Sequence, residues 1–262
     1  MILELSALLE RSIEKSLEDR VAVSFSGGLD STLIAAVAKK HAEVDLITAG
    51  TIDCPDVEFS KKLASQMQLQ ITLAPFDEAE AVRCFRETYD LLPMDLLKVE
   101  ILVPVYKVAK IARDLGHSAL LFGTGAEELF VGYERYFTYL DQGKDLDSIL
   151  HDEYKTLQQR EISWIKRICR KFGIDARFPY YNKELADMMF AVPLEDRIAD
   201  RELRKGLLRE AAALLGTPAL AVKRRKKAMQ YGSGIHKMIL KNSELLDREC
   251  PGQAPDSVNA SS

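Results

Sequence analysis

The sequence predicts an α/β protein with a doubly wound parallel sheet, followed by an all-helical C-terminal part. Three observations carry that prediction. Short β-prone runs alternate with stretches of helical periodicity over roughly the first 140 residues. Two of these runs end directly in glycine-rich turns that open onto helices, Ser26-Gly27-Gly28 and Gly123-Thr124-Gly125. Beyond about residue 140 the β-prone runs stop, and helical periodicity continues between Pro and Gly breaks.

Leu5, Leu8, Leu9, Ile13 and Leu17 recur at helical spacing, so residues 3–19 read as an amphipathic helix. Val21-Ala22-Val23-Ser24-Phe25 is the first expected strand, and residues 31–41 are helical again. Val44-Asp45-Leu46-Ile47-Thr48 is the second strand. A helix over 56–69 follows the start signal Cys54-Pro55-Asp56. Gln70-Ile71-Thr72-Leu73 is the third strand, with helices at about 77–91 and 98–115, and Ala119-Leu120-Leu121-Phe122 is the fourth. Later helices are expected over 145–171, 182–191, 199–215 and 234–246. The chain thus divides into an α/β part (1–144), a helical part (145–250) and a small, polar tail (251–262) expected to be disordered.

Composition narrows the function classes. The 262 residues are 47% hydrophobic and 29% charged, ordinary values for a soluble globular protein. A net charge of -4, from 36 basic and 40 acidic side chains, does not mark a nucleic-acid binder. No apolar run approaches the roughly 20 residues that span a bilayer, and the N-terminus lacks the features of a signal peptide. Cys54, Cys84, Cys169 and Cys250 lie far apart, without C-x-x-C spacing. This argues against a disulfide framework or zinc knuckle and fits a reducing cytoplasm.

Three segments carry chemistry. In Ser26-Gly27-Gly28-Leu29-Asp30-Ser31, glycines let backbone N–H groups turn inward while the next helix aims its positive end at the same place, an arrangement suited to phosphate. No G-K-[ST] follows, so this is not the Walker pattern. An acid beside a phosphate repels it unless a cation intervenes, which makes Asp30 a candidate Mg²⁺ ligand. In Gly123-Thr124-Gly125-Ala126-Glu127-Glu128, two acids open a helix; they either complement its dipole or hold a cation. If the two turns follow the first and fourth strands of one open sheet, they flank the crevice where such sheets bind ligands. Lys223-Arg224-Arg225-Lys226-Lys227 precedes a glycine-bearing stretch, Ala228 to Gly234. It reads either as a solvated face or as a loop whose cations neutralise polyphosphate and stabilise its departure as pyrophosphate.

Ser26–Ser31 resembles the S-G-G-x-D-S signature of the ATP pyrophosphatases (PP-loop enzymes), which adenylate a substrate and then attack it with nitrogen or sulfur. Gly123–Tyr133 resembles G-E-G-A-D-E-L-F-G-G-Y of the asparagine synthetase branch. Ala176-Arg177-Phe178-Pro179-Tyr180-Tyr181-Asn182 is similar to its A-R-x-P-F-L-D, and Lys205–Glu210 to its K-x-x-L-R-E. The resemblance implies an adenine nucleotide alpha hydrolase-like fold and an AMP-forming carbon–nitrogen ligase using ATP and Mg²⁺. It implies that Ser26, Gly27, Gly28, Asp30 and Ser31, with Ser24, Gly123 and Gly125, hold the nucleotide, and that Ala49 and Gly50 pack on adenine. Asp30 and Glu127 are the implied Mg²⁺ ligands, and Lys226 is the lysine that stabilises the adenylation transition state. The implied reaction is attack of a carboxylate on the α-phosphorus, loss of pyrophosphate, and amide formation, most directly asparagine from aspartate and ammonia.

Three positions depart from the family pattern. Thr124 stands where the family has Glu, Glu127 replaces Asp, and Asn182 replaces Asp. The family's Glu at the Thr124 position takes a proton from the incoming amine or binds an ammonium group. Thr124 and Glu128, one helical turn onward, are therefore the candidate residues beside the reacting carbonyl. Either Glu128 substitutes, or the acid is not aspartate and the product is another amide or lactam. Glutamine-dependent members begin with a glutaminase domain whose nucleophile is a cysteine after the initiator Met; Ile2 follows Met1 here. Free ammonia, another amine, or ammonia from a separate glutaminase partner is therefore the expected nitrogen source. The other expected partners are small molecules or further copies of the chain, not nucleic acid or membrane. A tRNA-modifying enzyme of the superfamily and a non-catalytic ATP-binding subunit are the competing readings.

Overall fold

The structure, a computed structural model, describes residues 1–51, 54–225 and 238–239. The chain opens with helix α1 (Ile2–Glu14) and then winds β1 (Arg20–Ser24), α2 (Leu29–Ala38), β2 (Glu43–Gly50), α3 (Pro55–Met67) and β3 (Gln70–Pro75). Helices α4 (Glu78–Leu91) and α5 (Leu96–Asp114) lead to β4 (Ala119–Leu121), α6 (Ala126–Leu129), α7 (Glu134–Asp141), α8 (Leu146–Thr156) and α9 (Glu161–Lys171). Strand β5 (Asp175–Arg177) is followed by α10 (Lys183–Ala191), α11 (Leu194–Arg197), α12 (Gly206–Leu214) and α13 (Ala219–Val222).

The five strands are parallel, in the order β3-β2-β1-β4-β5. The chain winds outward to one side through β2 and β3, then returns to build the other side from β4, so the order reverses between β1 and β4. Strand alternation sends successive side chains to opposite faces. Val21 and Val23 enter the apolar layer shared with α1, α2, α10 and α12, whereas Ala22 enters the layer under α4, α5 and α9. Ala119 and Leu121 divide from Leu120 in the same way. Burial on both faces makes this the expected doubly wound sheet. Helix α2 is enclosed almost completely: every residue except Asp30 is buried. Each of its larger apolar side chains contributes roughly 1.5–3 kcal/mol on burial.

The sequence signals place the N-terminal elements to within a few residues. Several helix starts are held by side chains: Asp77 accepts from the Glu80 amide at 2.7 Å, and Asn182 accepts from Leu185 at 3.1 Å. The family departure at Asn182 is therefore a helix cap.

Three expectations need correction. The region beyond residue 140 is not all helical, because β5 pairs in parallel with β4, with Leu120 opposite Ala176. Its three residues, Asp-Ala-Arg, include one apolar side chain, too little for an alternation signal. The helix expected over 145–171 is broken into α8, a 3₁₀ turn at Leu157–Gln159, and α9. Of the helix expected over 199–215, Gly206–Leu214 is helical, while Arg204 and Lys205 before it take left-handed φ values of 58° and 57°. Most of the expected 234–246 helix, the 251–262 tail and Lys226 lie outside the described residues. Among the described residues no helix is long and apolar enough to cross a membrane.

Candidate active site

A cavity of about 400 Å³ opens over the carboxyl ends of the central strands, where the strand order reverses. Its floor is the two glycine-rich turns. In the first, Gly27 has φ +64° and a Cβ there would lie 3.0 Å from Ser60 Oγ. Gly28 caps α2, its carbonyl accepting from Thr32 Oγ1 at 2.7 Å. Ser31 Oγ accepts from the Ser26 amide at 3.3 Å and lies 3.4 Å from Ser26 Oγ, so the hydroxyls brace the turn.

Arg224 closes this turn from outside. Its guanidinium donates to the carbonyls of Gly27 at 3.0 Å and Ser26 at 3.4 Å, and to Asp56 at 2.5 Å, and lies 3.9 Å from the centre of the Phe59 ring. The second turn follows β4. Gly125 has φ +100° and sits against the Tyr180 backbone, with 3.3 Å to a notional Cβ. Tyr180 also ties the turns together, since its buried hydroxyl donates to the Asp30 carbonyl at 3.0 Å. Gly123 packs on Asp30, where a Cβ would stand 3.1 Å from the Asp30 Cβ.

The two turns converge on one ammonium. Lys205 Nζ donates to both carboxylate oxygens of Asp30, at 2.8 and 2.7 Å, and lies 2.9 Å from Glu127 Oε1. Burial opposes the charge on Lys205, but Asp30 and Glu127 outweigh it and raise its pKa. Gly132 makes the approach possible: a Cβ there would lie 1.9 Å from Glu127 Oε2 and 2.2 Å from Lys205 Cε. Glu128, next to Glu127, lines the cavity but is nearly enclosed, and burial followed by the Glu127 charge pushes its carboxyl up to about 7. Such a group exchanges a proton near neutral pH. Burial, then Glu127 and Glu128, raises Tyr133 well above the usual phenol range.

The cavity wall includes Ser24, Ser26, Gly28, Asp30 and Ser31 from the first turn, and Gly123, Thr124, Gly125, Glu127 and Glu128 from the second. Ala49 joins it from β2. Gly27 stands behind the wall, toward Ser60 and Arg224, and Gly50 ends β2 with its carbonyl accepting from Phe76. Lys226 lies outside the described residues, although Arg224 and Arg225 bring the chain to the cavity rim. Lys205, Arg209 and Gly132 carry no individual role in the sequence pattern, and Arg224 only that of one cation in the basic run. Lys205 and Arg209 lie in the K-x-x-L-R-E resemblance and Arg224 in the basic run, so their signals were present without their contacts.

The sequence matches the asparagine synthase family model over residues 4–144 and 138–251. The chain belongs to the asparagine synthase family. Among curated family relatives, it is 28% identical to a Methanocaldococcus jannaschii protein provisionally named asparagine synthetase (glutamine-hydrolyzing) 1, over 91% of this chain and 53% of that protein. It is 24% identical to asparagine synthetase B (glutamine-hydrolyzing) of Escherichia coli, over 88% of this chain and 45% of that protein. The chain thus spans about half the length of these relatives. A solved NMN synthetase from Francisella tularensis superposes over 97% of both chains, with a TM-score of 0.47 and 11% identity.

Proposed function

We propose that this chain is the synthetase unit of an ATP-dependent amide ligase that releases AMP and pyrophosphate. The carrying observation is the convergence of Asp30 and Glu127, one from each glycine-rich turn, on a single cation within 2.9 Å at the strand-order reversal. In this reading the braced amides and hydroxyls of Ser26, Gly28 and Ser31 take the pyrophosphate portion of ATP, and Ala49 packs on its adenine. The carboxylate oxygen of the acid attacks the α-phosphorus, pyrophosphate leaves, and an amine displaces AMP to form the amide.

Asp30 and Glu127 would hold Mg²⁺. An all-oxygen pair of carboxylates fits an ion that takes one or two protein carboxylates and fills its shell with water and phosphate. Among the described residues no cluster of three or more His, Cys, Asp or Glu supplies a fuller protein shell. When bound, the ion would neutralise phosphate charge. Lys205 and the basic segment from Arg224 through Lys226 would neutralise the departing pyrophosphate.

Asparagine from aspartate and ammonia is the leading assignment, supported by the family. Glu128, with a carboxyl near 7, then takes the amine proton that Thr124 cannot. Glutamine hydrolysis as the source of the ammonia is suggested by the relatives' names. A second reading, amidation of a different acid, is favoured by the make-up of the cavity wall. Glu161, Leu157 and Ile165 line the cavity along with Thr124, and its cations, among the described residues, all come from 204–225. The test is Mg-ATP, ammonium and a panel of acids, with amide and pyrophosphate measured together. Aspartate-dependent release supports asparagine; silence with aspartate but release with another carboxylate selects the second reading.

A further inference from the structure

Lys205 sits where the proposed metal ligands meet, and several parts of the fold are given over to placing it there. Its ammonium is within hydrogen-bonding distance of three carboxylate oxygens, matching its three protons. Its side chain is only 4% exposed, so the three carboxylate oxygens replace most of its hydration. Arg204 and Lys205 both adopt left-handed backbone conformations, which are strained for residues with a side chain. Arg209 holds this turn by donating to the carbonyls of Leu203 and Arg204, and with the same guanidinium it reaches the carbonyls of Val222 and Arg224. Gly132 leaves the space for this pair, since a Cβ there would collide with both Glu127 and Lys205. A strained turn, a buried clamp and an obligatory glycine thus serve one contact.

We propose that Lys205 is a built-in counter-ion that competes with the divalent metal for Asp30 and Glu127, so that metal binds well only together with the triphosphate. This rests on the reading of those two carboxylates as metal ligands. Two carboxylates and one ammonium carry a net charge of -1. A divalent ion entering alone takes over the carboxylates and strands a buried ammonium, which is unfavourable. Phosphate oxygens entering with the metal give the ammonium new acceptors and restore charge balance. Metal and nucleotide affinities are then linked reciprocally, and couplings of this kind are typically about 5–150-fold. Arg209 extends the linkage to the basic segment, because the guanidinium that holds the Lys205 turn also holds residues 222 and 224.

The probe is Mn²⁺ binding to the full chain, by titration calorimetry or electron paramagnetic resonance, with and without α,β-methylene-ATP. Wild type should bind Mn²⁺ about tenfold or more weakly without nucleotide than with it. Lys205→Met should bind Mn²⁺ alone about tenfold more tightly than wild type, with the nucleotide effect largely gone. Lys205→Arg, which keeps the charge, should retain weak binding of metal alone. If Lys205→Met is too unstable to titrate, the wild-type comparison decides: equal affinity with and without nucleotide overturns the proposal. Asp30→Asn separates the two claims. If it leaves Mn²⁺ affinity unchanged with nucleotide, the ligand assignment fails, and the proposal with it. If it abolishes binding while Lys205→Met binds metal no more tightly than wild type, the counter-ion role alone fails.

Discussion

Two turns of the same strand–glycine–helix grammar face each other across the cavity, and they differ in what surrounds them. At Ser26–Gly28 the outward carbonyls are taken by Arg224 and the hydroxyls of Ser26 and Ser31 brace one another. Amides and hydroxyls are what that turn can offer a ligand. At Gly123–Gly125 the support is the Tyr180 backbone, and the turn delivers two acids into the short helix α6. Those acids have different fates, because neighbours on a helix point about 100° apart. Glu127 meets the Lys205 ammonium, whereas Glu128 turns into a buried position and titrates near 7. A glycine turn therefore becomes an anion cradle or a carboxylate platform according to the side chains that cap it.

Asp30 joins the two turns, so its loss gives the largest expected effect. Asp30→Asn should lower pyrophosphate release by about 100–1,000-fold, the scale of one lost electrostatic contact in a transition state. A thermal melt of the variant should still show a cooperative fold. Normal turnover by the folded variant would remove the platform-and-cradle contrast altogether.

Glu128→Gln sharpens the contrast between the neighbouring acids. With its folded carboxyl raised from 4.5 to about 7, the folded chain binds the proton more tightly than the unfolded chain. Stability therefore falls as pH rises between those values, by about 3 kcal/mol at most. Glu128→Gln should remove that decline, seen in urea as a variant whose stability relative to wild type rises between pH 4 and pH 8. Parallel pH profiles for the two proteins would show that Glu128 is not held neutral by the fold.

Gly132→Ala should cost about 1–3 kcal/mol, the range for overpacking, because the added methyl would lie 1.9 Å from Glu127 Oε2. The smallest contrast compares the turn glycines. Gly27→Ala and Gly125→Ala each pay about 1–2 kcal/mol for positive φ. Gly125→Ala also meets two Tyr180 backbone atoms at 3.3 Å, while Gly27→Ala meets one Ser60 backbone atom at 3.3 Å and otherwise the side chains of Ser60 and Arg224. Urea midpoints should rank Gly125→Ala as the more damaging, and the reverse order would mean that the cradle is the more rigid turn.

Most of the α/β half was legible in the sequence because its signals are local. Val21–Phe25 and Ala119–Phe122 are β-prone runs meeting glycines, and the starts of α3, α4 and α5 carry Pro or Asp. The site was legible as two turns but not as a contact network. Lys205 meets Asp30 across 175 residues and Arg224 meets Gly27 across 197, separations that no short periodicity encodes. Arg201 to Lys205 are residues of ordinary helix propensity, yet the chain turns left-handed at Arg204 and Lys205 to bring the lysine to the cavity. Tertiary contacts override local preference there, at the position where Asp30 and Glu127 meet. The adjacent acids Glu127 and Glu128 could be ranked only once the helix direction was known.

In the proposed reaction the crevice between the two turns cleaves ATP between its α- and β-phosphates to activate an acid for amide formation. The most direct measurement is nucleotide product analysis with Mg-ATP, ammonium and the acid panel. The expected products are AMP and pyrophosphate in equal amounts, matched by amide and dependent on one acid. ADP and phosphate as products, or AMP formed without dependence on any acid, would contradict the proposed reaction.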